Sequence, residues 1–177
     1  RGISRRDSLK IILAGRQADE GTIQAMMARK NALYLASLEQ MGPDDTLPGA
    51  IEALDDARRE GLAVALASSS RNANMVLDKL QLDDRFDVIV DGNSVEHAKP
   101  APDLFVKAAQ DLQVAAQGCL VVEDAASGVD AALKAGMWVI GIGPAERVGR
   151  AHLRVDATAD LDVSQAVRHV NGRQAGS

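Results

Sequence analysis

Three short polar segments of this chain contain the residue types that can hold a phosphate group and a divalent cation. Serines occupy positions 68–70 after an apolar run, Lys99 lies between an alanine and a proline, and Glu123 and Asp124 follow a second apolar run. Hydroxyl groups and an ammonium group bind phosphate oxygens. Adjacent carboxylates are hard oxygen ligands of the kind that Mg²⁺ prefers. Together, the three segments predict a site for a phosphorylated molecule and Mg²⁺.

The serines have a functional and a structural interpretation. Ser68, Ser69 and Ser70 lie between a predicted strand and a predicted helix. The start of a helix suits phosphate because its backbone donors converge and its dipole favours an anion. Serines also cap helices where no ligand is bound. Taken alone, the three serines leave both interpretations open.

Lys99 is also ambiguous when taken alone. Pro100 and Pro102 stiffen the backbone around it, and a lysine on a rigid loop is a well-placed charge for phosphate. A lysine immediately before a helix is, however, more often solvated. The phosphate interpretation therefore depends on what lies near Lys99 in the fold.

The acidic pair favours a metal over a helix cap. Two adjacent carboxylates at the end of an apolar strand repel each other unless a cation or hydrogen-bond donors offset their charge. Ser127 and Asp130 have the spacing of a capping box for the next helix. Because Ser127 can cap that helix without help, Glu123 and Asp124 remain available for a metal.

The elements that position these residues alternate along most of the chain. The predicted strands are residues 62–67, 86–90, 120–122 and 138–142. The predicted helices among them are residues 50–60, 73–80, 102–112 and 127–135. This alternation predicts an α/β fold, a Rossmann-like parallel sheet with helices on both faces. Ligands of such sheets bind beyond the carboxyl ends of the strands, and each of the three polar segments lies there or in the following loop.

The first part of the chain has a different pattern. Residues 7–16 and 22–41 have helical spacing with no strand between them, and a Gly-Pro-Asp-Asp turn follows. We therefore predict a partial all-helical cap at residues 1–43 and an α/β core at residues 44–177. From about Asp162 onward, we expect a frayed C-terminal end.

Composition excludes several classes of function. The net charge of −5 argues against a general nucleic-acid binder, and the single cysteine rules out a disulfide within the chain. No apolar stretch has the length needed to span a bilayer. We therefore expect a cytoplasmic protein with no nucleic-acid or membrane partner.

The order of the three segments resembles the haloacid dehalogenase superfamily of phosphotransferases. Leu-Ala-Ser-Ser-Ser-Arg-Asn (66–72), Ala-Lys-Pro-Ala-Pro-Asp (98–103) and Val-Glu-Asp-Ala-Ala-Ser-Gly-Val (122–129) are similar to its second, third and fourth motifs. Three further segments resemble its β-phosphoglucomutase branch: Arg-Gly-Ile-Ser-Arg-Arg-Asp-Ser-Leu (1–9), Ala-Arg-Lys-Asn (28–31) and Leu-Pro-Gly (47–49). The resemblance covers the chain from its first residue to about residue 143.

The resemblance implies roles for the core residues. Ser68 and Lys99 would hold the transferring phosphate as catalytic residues, with Ser69 contributing donors nearby. Glu123 and Asp124 would bind Mg²⁺ directly or through water. These assignments come from the matched motifs.

The resemblance also implies roles for residues that meet the rest of the substrate. Arg5 and Lys30, in the cap, would contact the distal group and hydroxyls of a sugar phosphate. Ser70, Arg71 and Asn72 would complete the pocket for the non-transferring phosphate when the cap closes. The implied partner is therefore a small sugar phosphate.

The first motif of the superfamily, an Asp-x-Asp that supplies the nucleophile and the acid/base, does not precede the cap segments. The only such triplet, at residues 160–162, follows no apolar strand and is rejected as a substitute. The resemblance places the missing motif at the end of a central strand, between the strands predicted at 62–67 and 120–122. We expect that strand and its aspartates to lie outside the sequence given, and the chain alone to be inactive.

The expected activity follows from the resemblance. The complete protein would interconvert β-glucose 1-phosphate and glucose 6-phosphate through an aspartyl-phosphate enzyme and a bisphosphate intermediate, as a monomer with Mg²⁺. One alternative is a sugar-phosphate phosphatase of the same superfamily. Another is a non-catalytic phosphosugar-binding module that has no nucleophile.

Overall fold

The computed structural model describes residues 5–174, without the side chains of residues 5, 7, 8 and 171–174. The helices are α1 (Arg5–Leu13), α2 (Glu20–Leu38), α3 (Ala50–Arg59), α4 (Ala73–Leu80), α5 (Asp103–Asp111), α6 (Ala126–Lys134), α7 (Ala145–Val148) and α8 (Val163–Gln174). The strands are β1 (Ala65–Ala67), β2 (Val88–Val90), β3 (Leu120–Glu123), β4 (Trp138–Ile142) and β5 (Leu153–Val155).

The strands form two parallel sheets. One contains β1 and β2, with Ala65 opposite Val88, and the other has the order β3-β4-β5, with Val121 opposite Val139. Among residues 5–174, β1 pairs only with β2, and β3 pairs only with β4. Each of these two strands therefore has one edge without a strand partner. Parallel strands flanked by helices confirm the predicted α/β fold, and the sheet is divided between β1 and β3.

The main core lies between the β3-β4-β5 sheet and the helices α5 and α6. Its buried side chains are Phe105, Ala109, Val121, Val129, Ala131, Ala132, Met137, Val139 and Val148. Ala67 of β1 packs against the same cluster. The two sheets therefore share one core although they exchange no strand hydrogen bonds among the described residues.

The N-terminal helices α1 and α2 form a hairpin. Asp19 begins α2 by accepting a hydrogen bond from the backbone N–H of Thr22 at 2.7 Å. The Arg6 guanidinium donates two hydrogen bonds to Glu20, and they lower the pKa of this carboxyl group to about 2. The all-helical character predicted for this segment is confirmed in its described part.

The first predicted strand is shorter than expected because its initial residues close the preceding helix. The backbone N–H of Leu62 donates to the carbonyl of Ala57 in α3. Val64 donates its N–H to the Asp87 carboxylate at 2.7 Å, before the ladder with β2 begins. Regular pairing is thus limited to Ala65–Ala67.

The expectation of a frayed segment from about Asp162 is wrong for the described residues, which extend to residue 174. Asp162 begins α8 by accepting a hydrogen bond from the N–H of Gln165 at 2.7 Å. Val163, Ala166 and Val170 are buried, and this i, i+3, i+7 spacing places them on one face of the helix. Strand β5 was not predicted either. No helix in the described part of the chain is long and apolar enough to cross a membrane.

Candidate functional site

The loop at residues 68–72, here called the serine loop, follows β1 directly. The N–H of Ser68 donates to the carbonyl of Val90 at 2.9 Å, which extends the pairing with β2. The hydroxyl oxygen of Ser68 accepts from the N–H of Ser70, and that of Ser70 accepts from the N–H of Asn72, both at 3.1 Å. These hydroxyls therefore shape the loop. The helix-cap interpretation is wrong, because α4 has Asn72 at its N-cap and no side-chain cap.

The Ser69 hydroxyl differs from its two neighbours. Its oxygen is buried and has no hydrogen-bond partner among the described residues. A buried hydroxyl without a partner costs about 1–3 kcal/mol, so native proteins rarely retain one without a reason. Ser69 thus presents an unused polar group in the loop that was predicted to bind phosphate.

Lys99 is buried and connects the ends of two strands. Its side chain is only 7% exposed. Its Nζ atom lies 3.1 Å from the carbonyl oxygen of Ala67, at the end of β1, and 2.7 Å from Oε2 of Glu123, at the end of β3. The same atom lies 4.5 Å from the centre of the Phe105 ring. The alternative of a solvated lysine is therefore wrong.

The Glu123 carboxylate is held on both of its oxygens. Oε2 accepts from Lys99, and Oε1 accepts from the N–H groups of Asp124 and Ala125 at 3.2 and 3.1 Å. A Cβ atom at Gly128 would lie 2.0 Å from the carboxyl carbon of Glu123. Because Gly128 has no side chain, the Glu123 carboxylate can occupy this space.

The capping box predicted for Ser127 and Asp130 is not formed. Helix α6 begins at Ala126, so Ser127 lies inside it, and the N-cap residue Ala125 has no side-chain oxygen. Asp130 instead pairs with Arg150. The Glu123 carboxylate instead holds the loop before α6, because it accepts hydrogen bonds from two N–H groups of that loop.

The carboxylates at the end of β3 are chemically suited to Mg²⁺. Glu123 and Asp124 are adjacent; the Glu123 side chain is only 10% exposed and Asp124 is half-buried. No group of three or more histidine, cysteine or acidic side chains that could hold a metal occurs among the described residues. Mg²⁺ does not require such a group, because it typically takes one or two carboxylates and completes its shell with water and phosphate. The donor set therefore fits a cation shared with a bound phosphate.

A polar contact joins the helical hairpin to the serine loop. Nδ2 of Asn72 donates to Oδ1 of Asn31, in α2, at 3.4 Å. Lys30 immediately precedes Asn31 in this helix and is exposed, as is Arg71 in the loop. The side chain of Arg5 lies outside the described residues. The structure thus brings α2 to the loop through Asn31.

A turn that was not predicted to take part also reaches the serine loop. Asp91 is only 8% exposed, and the N–H of Gly92 donates to the carbonyl of Ser70 at 3.0 Å. Burial raises the pKa of Asp91, but hydrogen bonds from Asn93 and Ser94 outweigh it and leave the pKa below its usual value. The Asp-Gly-Asn-Ser sequence after a strand indicates a turn; it does not indicate which loop the turn contacts.

The rejected Asp-x-Asp triplet has structural roles. Asp160 accepts a hydrogen bond from the N–H of Ala157 at 3.0 Å. Asp162 begins α8, as described above. Both carboxylates thus hold local backbone, in keeping with the rejection of this triplet as a nucleophile.

Comparisons with known proteins agree with the motifs. A model of the haloacid dehalogenase-like hydrolase family matches residues 6–136. The β-phosphoglucomutase of Bacillus subtilis is 38% identical over 165 residues, which cover 91% of this chain and 73% of that protein. The phosphorylated carbohydrates phosphatase of Thermotoga maritima is 36% identical over 115 residues, which cover 63% of this chain and 53% of that protein.

A solved structure extends the similarity to the fold. The β-phosphoglucomutase of Clostridium difficile superposes with a TM-score of 0.90 at 33% identity, over 98% of this chain and 80% of that one. The chain belongs to the haloacid dehalogenase-like hydrolase family, and within that family it is β-phosphoglucomutase-like.

Proposed function

We propose that this protein is a phosphotransferase that interconverts β-glucose 1-phosphate and glucose 6-phosphate. The observation that carries the proposal is the position of Lys99, whose ammonium group links the end of β1, where the serine loop begins, to Glu123 at the end of β3. This arrangement supports a site in which the serine hydroxyls, the Lys99 ammonium group and the two carboxylates act together. The similarity to two mutases supports the choice of reaction.

Ser68 and Lys99 are proposed to hold the transferring phosphate. Because Lys99 is largely shielded from water, its attraction for a phosphate is screened less than that of an exposed lysine. The buried hydroxyl of Ser69 supports a donor role in the same loop. These residues bind and orient the phosphate and offset its negative charge.

Asp124 and Glu123 are proposed to hold Mg²⁺, directly or through water. When bound, the ion would add positive charge beside the transferring phosphate.

The site is proposed to be completed by a strand between β1 and β3 that carries the nucleophilic and the acid/base aspartate. Within the described residues, the facing edges of β1 and β3 have no strand partner. A central strand would pair their backbone groups and would end beside Lys99. This proposal also retains the division into a helical cap at residues 1–43 and an α/β core at residues 44–177.

The cap is proposed to select the acceptor. Arg5 and Lys30 would contact the sugar phosphate, while Ser70, Arg71 and Asn72 would bind its non-transferring phosphate. A cap closed over the site excludes water, so that the phosphate passes to a sugar hydroxyl. The hydrogen bond between Asn31 and Asn72, which joins the cap to the serine loop, supports such a closure.

A sugar-phosphate phosphatase is the second candidate. It is favoured by the Thermotoga maritima relative, which acts as a phosphatase on phosphorylated carbohydrates. The two activities differ in whether a sugar hydroxyl or water accepts the phosphate.

The deciding test is an assay of the protein expressed from its complete reading frame. β-Glucose 1-phosphate is supplied with Mg²⁺ and a catalytic amount of glucose 1,6-bisphosphate, and the products are separated. Glucose 6-phosphate without release of phosphate supports the mutase. Free glucose with equimolar phosphate supports the phosphatase, and no turnover of β-glucose 1-phosphate contradicts the proposed mutase.

A further inference from the structure

We propose that the turn at residues 91–94, here called the bracing turn, sets the geometry of the serine loop. In this proposal Asp91 and Asn93 are positioning residues for phosphate binding. Asn93 contacts the backbone of the loop, and Asp91 acts by holding the Asn93 amide. The inference rests on the proposed function, because it assigns these residues to the same phosphate site.

The bracing turn holds two consecutive carbonyl groups of the serine loop. The N–H of Gly92 donates to the carbonyl of Ser70 at 3.0 Å, and Nδ2 of Asn93 donates to the carbonyl of Arg71 at 3.1 Å. In a planar trans peptide the C=O and the N–H point in opposite directions. Fixing these carbonyls therefore turns the N–H groups of Arg71 and Asn72 away from the turn.

The orientation of the Asn93 amide is itself fixed by Asp91. The nearly buried Asp91 carboxylate accepts hydrogen bonds of 2.9 Å from the N–H of Asn93, from its Nδ2 and from the hydroxyl of Ser94. An amide nitrogen carries two hydrogens. One hydrogen is donated to Asp91 and the other to the carbonyl of Arg71, so both hydrogens of the Asn93 amide are used.

The turn approaches the loop too closely for a side chain between them. A Cβ atom at Gly92 would lie 2.4 Å from the carbonyl oxygen of Ser69. Any larger residue at position 92 would displace the backbone of Ser69, whose buried hydroxyl has no partner among the described residues. The spacing of turn and loop therefore depends on this glycine.

This arrangement acts by preorganisation. A loop already held in its binding geometry loses less conformational freedom when phosphate binds. Asn93 supports the Ser70–Asn72 half of the loop, which is proposed to take the non-transferring phosphate. Loss of the brace should therefore weaken substrate binding more than it slows the chemical step.

The test compares Asn93→Ala with Asn74→Ala in the full chain. Asn74 is an exposed residue of α4, near the loop in sequence, and serves as the matched control. Inorganic phosphate binding is measured by calorimetry in the presence of Mg²⁺. Asn93→Ala should raise the Kd about tenfold, which corresponds to about 1.4 kcal/mol, and Asn74→Ala should leave it unchanged. In the sugar-phosphate assay, Asn93→Ala should raise KM while kcat stays within about twofold.

Hydrogen exchange tests the role of the bracing turn independently of the proposed function. Exchange of the backbone amides at residues 69–72 should be faster in Asn93→Ala, while the melting temperature stays near that of the wild type. Gly92→Ala should displace the backbone of Ser69 and should likewise weaken phosphate binding. If the wild-type chain binds no phosphate, the proposed function and this inference both fail. The inference about the bracing turn alone is overturned if the wild-type chain binds phosphate and Asn93→Ala binds it equally well. It is also overturned if exchange at residues 69–72 is unchanged in Asn93→Ala.

Discussion

The Nζ atom of Lys99 lies 2.7 Å from Oε2 of Glu123, and this ion pair connects the ends of two strands that exchange no backbone hydrogen bonds among the described residues. Neither side chain is more than 10% exposed. Each charge therefore depends on the other for compensation. The pair also presents the ammonium group beside the serine loop, so the same contact contributes to the fold and to the proposed site.

Removing the lysine should destabilise the protein strongly. Lys99→Ala leaves the Glu123 carboxylate buried without its cation, and breaking such a pair costs about 3–5 kcal/mol. The free energy of unfolding, measured with urea, should fall by an amount near this range. The control is Lys107→Ala, which removes a partly exposed ion pair with Asp111 and should cost no more than about 1 kcal/mol. Equal losses in the two variants would contradict the structural role of Lys99.

A methyl group at Gly128 should displace Glu123. The Cβ atom would overlap the carboxyl group, and forcing extra volume into a packed site costs about 1–3 kcal/mol. Gly128→Ala should therefore lower the free energy of unfolding and weaken phosphate binding together. Gly21→Ala is the control, because Gly21 also lies in the first turn of a helix but its Cβ atom would meet only Asp19 Oδ1, at 3.4 Å. A Gly128→Ala variant as stable as Gly21→Ala would refute this account.

The sequence predicted where the site lies but not how its parts connect. The carboxyl ends of parallel strands share one edge of a sheet, so the serines, Lys99 and Glu123 could be placed together from strand order alone. The ion pair between Lys99 and Glu123 could not be predicted, because it depends on side-chain paths across residues distant in sequence. The contact of Asn93 with the serine loop was missed for the same reason.

Local pattern gave the correct boundaries for one helix and one strand. The predicted boundaries of Ala73–Leu80 and Trp138–Ile142 match the structure. The strand predicted at residues 62–67 was too long, because Val64 donates to a side chain from a distant segment. Helix α8 was overlooked because a frayed end was expected there, whereas burial of Val163, Ala166 and Val170 stabilises it.

Replacing Asp124 should weaken the response to Mg²⁺. Asp124→Asn removes a proposed anionic ligand but keeps the size of the side chain. Mutating even the outer partners of a metal ligand costs about 10- to 100-fold in affinity or activity, so the Mg²⁺ concentration for half-maximal turnover should rise at least about tenfold. The control is Asp130→Asn, whose carboxylate pairs with Arg150. An unchanged Mg²⁺ requirement in Asp124→Asn would remove the metal assignment.

The cap lysine should affect sugar phosphates selectively. Lys30 is exposed on α2 and is proposed to contact the sugar part of the substrate, which a small aryl phosphate lacks. Lys30→Ala should lower kcat/KM for β-glucose 1-phosphate about tenfold or more, a change of about 1.4 kcal/mol, while hydrolysis of the aryl phosphate is nearly unaffected. Arg29→Ala, an exposed neighbour, should change neither rate. Equal losses on both substrates in Lys30→Ala would weaken the proposed role of the cap.

The loop that carries Lys99 should respond to pH through His97. Nδ1 of His97 lies 2.8 Å from Oδ1 of Asp103. This hydrogen bond, with the charges of Asp103 and Glu96, raises the pKa of His97 above its ordinary value. A raised pKa in the folded state means that the stabilisation is complete below the unfolded pKa of about 6.5 and is lost as the pH rises through the folded pKa. In an NMR titration, Asp103→Asn should move the His97 pKa downward, and Asp111→Asn should leave it in place. The stability advantage of wild type over His97→Gln should likewise shrink as the pH rises through the His97 pKa, and an advantage that grows with pH would contradict the ion pair.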